Sequence, residues 1–426
     1  MVTSTLGGLR AACGDVAEAT VDDTVDGVPA RWVAWPGSTE EVSAVLRAAA
    51  RLGLRVVARG TGTRLNWGLP PTDVDLIVNI SRMDAVLAHV AGDLVVTVQA
   101  GLRMIDLQNA LALHRQRLAL DSAGTLIGGT VVGGAVVGGA VGGVGGTVGG
   151  TIATAASGPL RYRYGSVRDL LIGITVVLAD GTVTRSGGTV VKNVAGYDLG
   201  KLYTGSLGTL GVITEAVFRL HPLPEASRWI TVPAPDAERA AAAIAAVRAS
   251  QHEPVALDVD RGAPGDRVTV GVAVEGVTGG IGARAEAVAD LLGAAAGALA
   301  TVTEQPPGWW GRPPHPPQGP AATVSCEPTG LAELLATAPG VLRGSAGAGV
   351  LTAGLDDGDR LGAQLAQLRR IATRNGGSAV LRCAPSHRKA GLDVWGPVPA
   401  LALMRRLKDQ FDPEHRLAPG RFVGGI

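Results

Sequence analysis

The sequence predicts an α+β chain of two domains, and three observations carry that reading. With 426 residues the chain is longer than one hydrophobic core usually supports. Residues 32–58 read as strand, helix and strand, and further strand-like runs continue to 222. After Pro222 and Pro224 the texture changes to Ala- and Arg-rich helical stretches alternating with short strands, as in a compact α+β unit.

The first unit opens with RWVAWPGSTEEVSAVLRAAARLGLRVVARG. Residues 32–35 form a strand ended by Pro36, and Ser38 and Glu41 have capping-box spacing. Val42, Val45 and Leu46 make a helical apolar stripe, Gly53 stops the helix, and residues 54–58 form the next strand. That strand delivers the chain into a loop at 59–69. DLIVNI (75–80) and LVVTVQAG (94–101) are strand-like, and residues 104–113 form an amphipathic helix. Residues 170–188 read as a hairpin about Asp180-Gly181, a pair that favours a tight turn. A last strand, 211–222, meets Pro222 and Pro224, where the domain boundary is expected. Beyond it, helices at 237–249, 283–296 and 361–375 alternate with strands at 228–232, 268–274 and 379–383. PPGWWGRPPHPPQGP (306–320) is a loop, because proline removes donors and fixes φ; Trp309 and Trp310 are available there to cover a surface.

Lys+Arg 38 against Asp+Glu 37 gives a net charge of +1, which removes any broad electrostatic argument for nucleic acid or an anionic membrane. Cys13, Cys326 and Cys383 are too few and too far apart for a disulfide framework or a Cys-x-x-Cys metal site. The N-terminus lacks a basic start followed by an apolar run, so a cytoplasmic location is expected. Residues 128–150, GGTVVGGAVVGGAVGGVGGTVGG, carry no charge, yet 12 of these 23 residues are Gly. Each Gly costs a helix roughly 1 kcal/mol relative to Ala, so no transmembrane segment is expected here.

Three glycine-bearing segments either bring backbone N–H groups close to an anionic ligand or serve as ordinary turns. They are RGTGTR (59–64), GTVGGTIATAASGPLRYRYGSVRD (146–169) and KNVAGYDLGKLYTGSLGTLGVITEA (192–216). Neither a G-x-G-x-x-G in a strand-to-helix setting nor a G-x-x-x-x-G-K-[ST] is present, which argues against a Rossmann domain or a nucleotide triphosphatase.

Together with the terminal LKDQFDPEHRLAPGR, these segments resemble FAD-binding oxidoreductases of the vanillyl-alcohol oxidase (PCMH-type) superfamily. The KN-x-AGYDL-x-x-L segment points to its glycolate oxidase and D-lactate dehydrogenase branch. The resemblance implies a PCMH-type FAD-binding domain of two subdomains at 28–224, after an N-terminal extension at 1–27. It implies a smaller α+β, ferredoxin-like cap at 225–396 and a C-terminal segment at 397–426 whose helix returns to the FAD domain. It assigns FAD contacts to Arg59, Gly60, Thr61, Gly62 and Thr63 as the first pyrophosphate loop, and to Gly149, Gly150, Thr151, Thr154 and Gly158 as the second. Gly165 and Ser166 would lie nearby, and Gly211, Val212 and Ile213 would present backbone groups to the cofactor. Covalent members carry His near the position of Thr63; its absence here implies non-covalent FAD.

Departures from the pattern narrow the reading. The His-x-x-x-x-x-His and His-x-Gly-Asp-Gly-Asn stretches of the catalytic 2-hydroxy acid dehydrogenases are absent, as is the His-Trp-Gly-Lys of sugar-lactone oxidases, and Ala418 stands where many relatives have Asn. The nearest resemblance is to the smaller FAD-binding subunit of bacterial glycolate oxidase. It implies a 2-hydroxy acid substrate, glycolate or D-lactate, with a metal-bearing flavoprotein subunit and an iron–sulfur subunit as partners, through which the chain would sit at the inner face of the membrane. Two alternatives stay open: a self-sufficient FAD-dependent dehydrogenase of another hydroxylated substrate, and a non-catalytic flavin-binding or apo scaffold.

Other candidates have two readings each. Lys192 and Asn193 serve either a flavin pocket or a turn. Tyr162, Tyr164 and Tyr197 either orient a ligand or pack at a junction. Arg161, Arg163 and Arg168 either clamp a carboxylate or, for Arg168 with Asp169, form a structural pair. His221, His252, His315, His387 and His415 show no ligand spacing, so no metal and no catalytic base is assigned. The glycine pairs recur irregularly, which suggests a slipped duplication. Only Gly149-Gly150 lies at the right distance from Gly158, so residues of about 128–148 are expected to be an insertion.

Overall fold

The computed structural model describes residues 2–121, 146–189 and 197–426, and a short hairpin of Thr130–Val132 with Ala135–Val137. Most of the 128–148 insertion, and Lys192 and Asn193, therefore lie outside the described residues.

Two small sheets build the N-terminal region. The first has the order Val16–Glu18, Trp32–Ala34, Leu76–Asn79, Val56–Arg59, with the last three strands parallel. Helix Thr39–Arg51 makes the crossover between two of them. Half of the predicted capping box forms: Ser38 Oγ accepts from Glu41 N at 3.1 Å, whereas Glu41 Oε2 accepts from Gly37 N, at 2.7 Å, in place of Ser38 N. The second sheet is antiparallel, in the order Val183–Gly187, Leu171–Val177, Val212–Arg219, Val95–Gln99, Val86–Val90. One core spans both sheets. It also takes in Leu9, Cys13 and, from the far end of the chain, Leu417.

Residues 226–383 form an eight-stranded antiparallel sheet. Its first half runs Ala226–Ala234, helix Ala237–Ala249, Ala256–Arg261, Val268–Gly276, helix Thr278–Ala296, Thr301–Thr303. In space these strands stand fourth, first, third, second, the ferredoxin-like order. The second half repeats that unit with Ala321–Ser325, Val341–Ser345, Val350–Gly354 and Ala379–Cys383 and helices Leu331–Thr337 and Leu361–Arg374. The expected ferredoxin-like cap is thus a pair of such units, joined where Val259–Arg261 pairs with Leu342–Gly344. The Pro-rich loop is the connection between them. The helices cover one face of the sheet, where Ile230, Val259, Leu292, Leu342 and Leu368 are buried.

The other face is covered by the loop and by the N-terminal region. Trp310 is buried with Ala256 and Ala273 of the sheet and with Ala119 and Leu160. Gly271 is obligatory beneath it, since a Cβ there would lie 2.8 Å from Trp310 and 2.9 Å from Trp309. An ion pair ties the same contact: Arg117 Nη1 and Nη2 donate to Glu275 Oε1 and Oε2 at 2.7 and 2.5 Å.

After helix Leu401–Phe411 the chain returns to the first sheet, where Val56 N donates to Arg416 O and Ala418 N donates to Val56 O, both at 2.8 Å. Lys408 is wholly buried beneath this return and donates to Asp412 Oδ2, Thr209 O and Leu417 O. Ala418 has φ +43°, a conformation that Asn and Gly adopt more readily than Ala.

Candidate functional site

Strand Val56–Arg59 ends against the start of helix Val148–Thr154, and the loop that follows it forms one wall of a groove of about 720 Å³. Arg59 to Leu65 make that wall. Thr147, Gly149, Gly150, Ala153 and Thr154 make the floor; Leu207, Gly208, Gly211 and Ile213 with Ile80 and Arg421 close it. The three glycine segments therefore converge, although about 150 residues of sequence separate Gly60 from Gly208.

The glycines do different jobs. Gly60 and Gly149 are needed for packing: a Cβ on Gly60 would lie 2.7 Å from Thr147 Cγ2, and one on Gly149 would lie 3.0 Å from Ala100 Cβ. Gly62 and Gly208 have φ of +78° and +77°, and nothing lies within 4 Å of a Cβ on Gly208. Those two supply the left-handed turns that leave backbone facing open space. Thr147 caps the helix, its Oγ1 accepting from Gly150 N at 3.2 Å, and Thr154 Oγ1 donates to Gly150 O at 2.7 Å.

Of the candidates, Arg59, Gly60, Thr61, Gly62, Thr63, Gly149, Gly150, Thr154, Gly211 and Ile213 line the groove. Arg59 does so with its charge already engaged by Asp23 at 2.8 Å. Thr151 is buried beneath the helix and accepts from Arg64 Nη1 at 3.4 Å. Val212 points to the opposite side of its strand, into the core. Gly165, at φ +81°, and Ser166 form the turn before Val167–Leu170, where Asp169 Oδ2 accepts from Ser166 N and Oγ. Gly158 packs on Asp121 and borders a second cavity. Asp169 is thus engaged by Ser166. Tyr164 is tied to Arg117 and Glu275, Tyr162 packs against the cap, and Tyr197 is exposed.

Sequence reasoning named Arg64 and Gly208 within its glycine segments without assigning them FAD contacts, and it missed Thr147, Leu207 and Arg421. Burial, aided by the neighbouring Arg382, pulls Arg64 down to about 10. Arg421, brought back by the C-terminal return, is pulled to about 10 by burial; it donates to Leu65 O and Trp67 O, and its Nε has no partner. Two buried guanidiniums and open glycine backbone suit a pyrophosphate.

The second cavity, about 870 Å³, lies between the groove and the uncovered part of the cap sheet. Trp67 and Arg382 form the partition. Arg382 lies 4.9 Å over the Trp67 ring, its Nη1 donates to Thr154 O at 3.1 Å, and its Nε donates to Thr323 Oγ1 at 2.7 Å. Burial and Arg161 pull Arg382 down to about 10. Gly311 to His315 of the Pro-rich loop form the outer rim. Among the described residues no three His, Cys, Asp or Glu side chains cluster as for a metal, and no helix is long and apolar enough to cross a membrane.

Comparison with known proteins agrees with this geometry. Residues 30–146 and 142–187 match the FAD binding domain family. The chain is similar to the glycolate oxidase subunit GlcD of Bacillus subtilis, 32% identical over 223 residues, which are 52% of this chain and 44% of that protein. It is also similar to a D-lactate dehydrogenase of Archaeoglobus fulgidus, 33% identical over 223 residues, 52% of this chain and 46% of that one. The matched segment spans less than half the length of these relatives. For the fold alone, 4-ethylphenol oxidase from Gulosibacter chungangensis covers 99% of this chain, and the chain covers 96% of it, with a TM-score of 0.71 at 16% identity. From its glycine-lined groove and this family match, residues 30–187 carry an FAD binding domain, and the cofactor is FAD.

Proposed function

We propose that the chain is an FAD-binding subunit of a glycolate oxidase-like complex and takes part in oxidising a 2-hydroxy acid, glycolate or D-lactate. Residues 28–224 serve as the FAD domain, 225–396 as the cap, and 397–426 as the segment that completes the groove. Arg59 to Thr63, Gly149, Gly150, Gly208 and Gly211 hold the pyrophosphate region, with Arg64 and Arg421 behind them. Thr63 carries no nucleophilic imidazole, so the cofactor is held without a covalent bond from this loop. FAD supplies the redox chemistry, and the protein supplies placement and electrostatics.

The observation that carries the substrate class is the junction of the groove, across Trp67 and Arg382, with a cavity bordered by Arg161 and Arg382. Guanidinium groups suit a carboxylate. The names of the relatives, a glycolate oxidase subunit and a D-lactate dehydrogenase, point to the same substrates. A multi-subunit assembly is supported by the first of these. The partners are a metal-bearing flavoprotein and an iron–sulfur protein.

The test is to purify the chain from its own cells at native abundance. A yellow protein that releases FAD on acid precipitation and is accompanied by those two partners is expected. Bleaching of the isolated chain by glycolate or D-lactate would favour the self-sufficient dehydrogenase over the subunit. A colourless chain that takes up no added FAD would overturn both readings.

A further inference from the structure

The cavity behind Trp67 contains two buried polar side chains that nothing in the fold satisfies. Asp258 is 2% exposed and Ser345 3% exposed, and neither Asp258 Oδ1 nor Ser345 Oγ has a hydrogen-bond partner. Both line the cavity. Strand alternation puts them there: Leu257 and Val259 enter the core beneath the helices, as does Leu342, so Asp258, Arg343 and Ser345 face the opposite way. Buried polar groups are nearly always paired, and a built pocket that leaves two of them unpaired calls for a polar ligand.

The cations on the same cavity are arranged to match. Arg343 is already taken by Asp260, at 2.8 and 2.7 Å. Arg161 and Arg382 are not: Arg161 Nη1 donates to Ser157 Oγ at 3.0 Å, Arg382 donates to Thr323 Oγ1 and Thr154 O, and among the described residues neither meets an acidic side chain in an ion pair. Arg161 is the cation that most influences Asp258. Arg161, from outside the sheet, and Arg382, from its last strand, therefore offer guanidinium donors, and two inner strands of the sheet offer a carboxyl and a hydroxyl.

We propose that this cavity binds a small hydroxycarboxylate, with Arg161 and Arg382 holding the carboxylate and Asp258 and Ser345 hydrogen-bonding the hydroxyl. The assignment rests on the functional reading above and deepens it by naming the residues that would tell a 2-hydroxy acid from a plain carboxylic acid. Burial, reinforced by Asp121 and opposed by Arg161, pushes Asp258 up to about 8. Near neutrality its carboxyl can therefore donate to the hydroxyl as well as accept from it. A site built to pair a hydroxyl discriminates strongly against the analogue that lacks it.

The experiment titrates the FAD-loaded full chain, anaerobically and with its flavin already reduced so that no turnover occurs, with glycolate and with acetate. The wild type is expected to bind glycolate at least about tenfold more tightly than acetate. Asp258→Asn and Ser345→Ala should each weaken glycolate and leave acetate unchanged, while Arg161→Gln weakens both; FAD content and circular dichroism stay at wild-type values. If all three variants bind glycolate as the wild type does, the site lies elsewhere and the functional reading stands. If the wild type binds no hydroxy acid at all, that reading fails and takes the ligand class with it. Loss of FAD from both Asp258→Asn and Ser345→Ala would assign the cavity to the cofactor and overturn the proposal.

Discussion

Glu275→Gln is expected to be among the most damaging single changes outside the groove. Glu275 takes both terminal nitrogens of Arg117 at 2.7 and 2.5 Å, with the arginine side chain 4% exposed and the glutamate 13%. Burial alone would lower the pKa of Arg117, yet Glu275 overrides it and holds the guanidinium above its ordinary value. Removing one partner of a buried pair typically costs about 3–5 kcal/mol, because it strands the other charge, whereas a well-packed apolar pair can be neutral. Tyr164, whose hydroxyl accepts from Arg117 at 3.0 Å, remains as partial compensation, so about 3 kcal/mol is the expected loss. Urea unfolding of wild type, Glu275→Leu, Arg117→Met and the double variant Arg117→Met/Glu275→Leu measures the pair as a cycle, with Glu275→Gln measured beside it. The double variant should recover most of what either single change loses. Single changes within about 0.5 kcal/mol of wild type, the range of ordinary surface substitutions, would refute the claim that this pair is desolvated at the junction of cap and FAD domain.

Three further single substitutions, one excision and one double variant test other parts of the fold. Ser38→Ala removes the acceptor for Glu41 N and should cost about 1 kcal/mol by urea midpoint. Lys408→Met leaves Asp412, Thr209 O and Leu417 O without their shared donor; about 3 kcal/mol is expected, and thermal unfolding near the wild-type midpoint would count against it. Asp258 at about 8 and Asp121 at about 7 bind protons more tightly folded than unfolded, where a carboxyl sits near 4. Stability should therefore fall as pH rises through that window, by up to about 1.4 kcal/mol per pH unit for each group; Asp258→Asn should match wild type at low pH and surpass it in urea unfolding above neutrality. Excising 21 residues from the glycine tract, the spacing from Gly128-Gly129 to Gly149-Gly150, should leave FAD content unchanged by absorbance, whereas a Gly149/Gly150→Val double variant should lose it.

Local signals were legible wherever a residue's role depends on its sequence neighbours. The Ser38 and Glu41 cap, the crossover between Trp32 and Arg59, the loop before Leu65 and the Pro-rich connection could all be read that way. Arg421 was not, because its place in the groove depends on a chain return that no local pattern encodes. Asp258 shows the same limit. ALDVDR alternates as a strand with one wet face should, and only the Trp309-Trp310 loop and Leu160, brought from elsewhere, cover that face. The doubling of the ferredoxin-like unit was hidden because its two halves share a strand order and no recognisable residues.

The glycine pair at 149–150 shows how far a motif can be read before geometry divides it. From sequence both residues are equivalent, small and adjacent, and both suit a backbone that must approach a ligand. In the fold they separate by one helical step. Gly149 turns toward Ala100, to whose carbonyl its N–H donates at 2.8 Å, and a methyl there would meet the Ala100 side chain at 3.0 Å. A methyl on Gly150 would have only Thr147 Oγ1 nearby, at 3.2 Å, on the side that borders the groove. A substitution at 149 should therefore disturb the seating of helix Val148–Thr154 on the second sheet and lower stability, while Gly150→Ala should cost the fold little and act on FAD affinity. Both glycines border the groove, but Gly149 is also held to the core by its contact with Ala100, a requirement that Gly150 does not share.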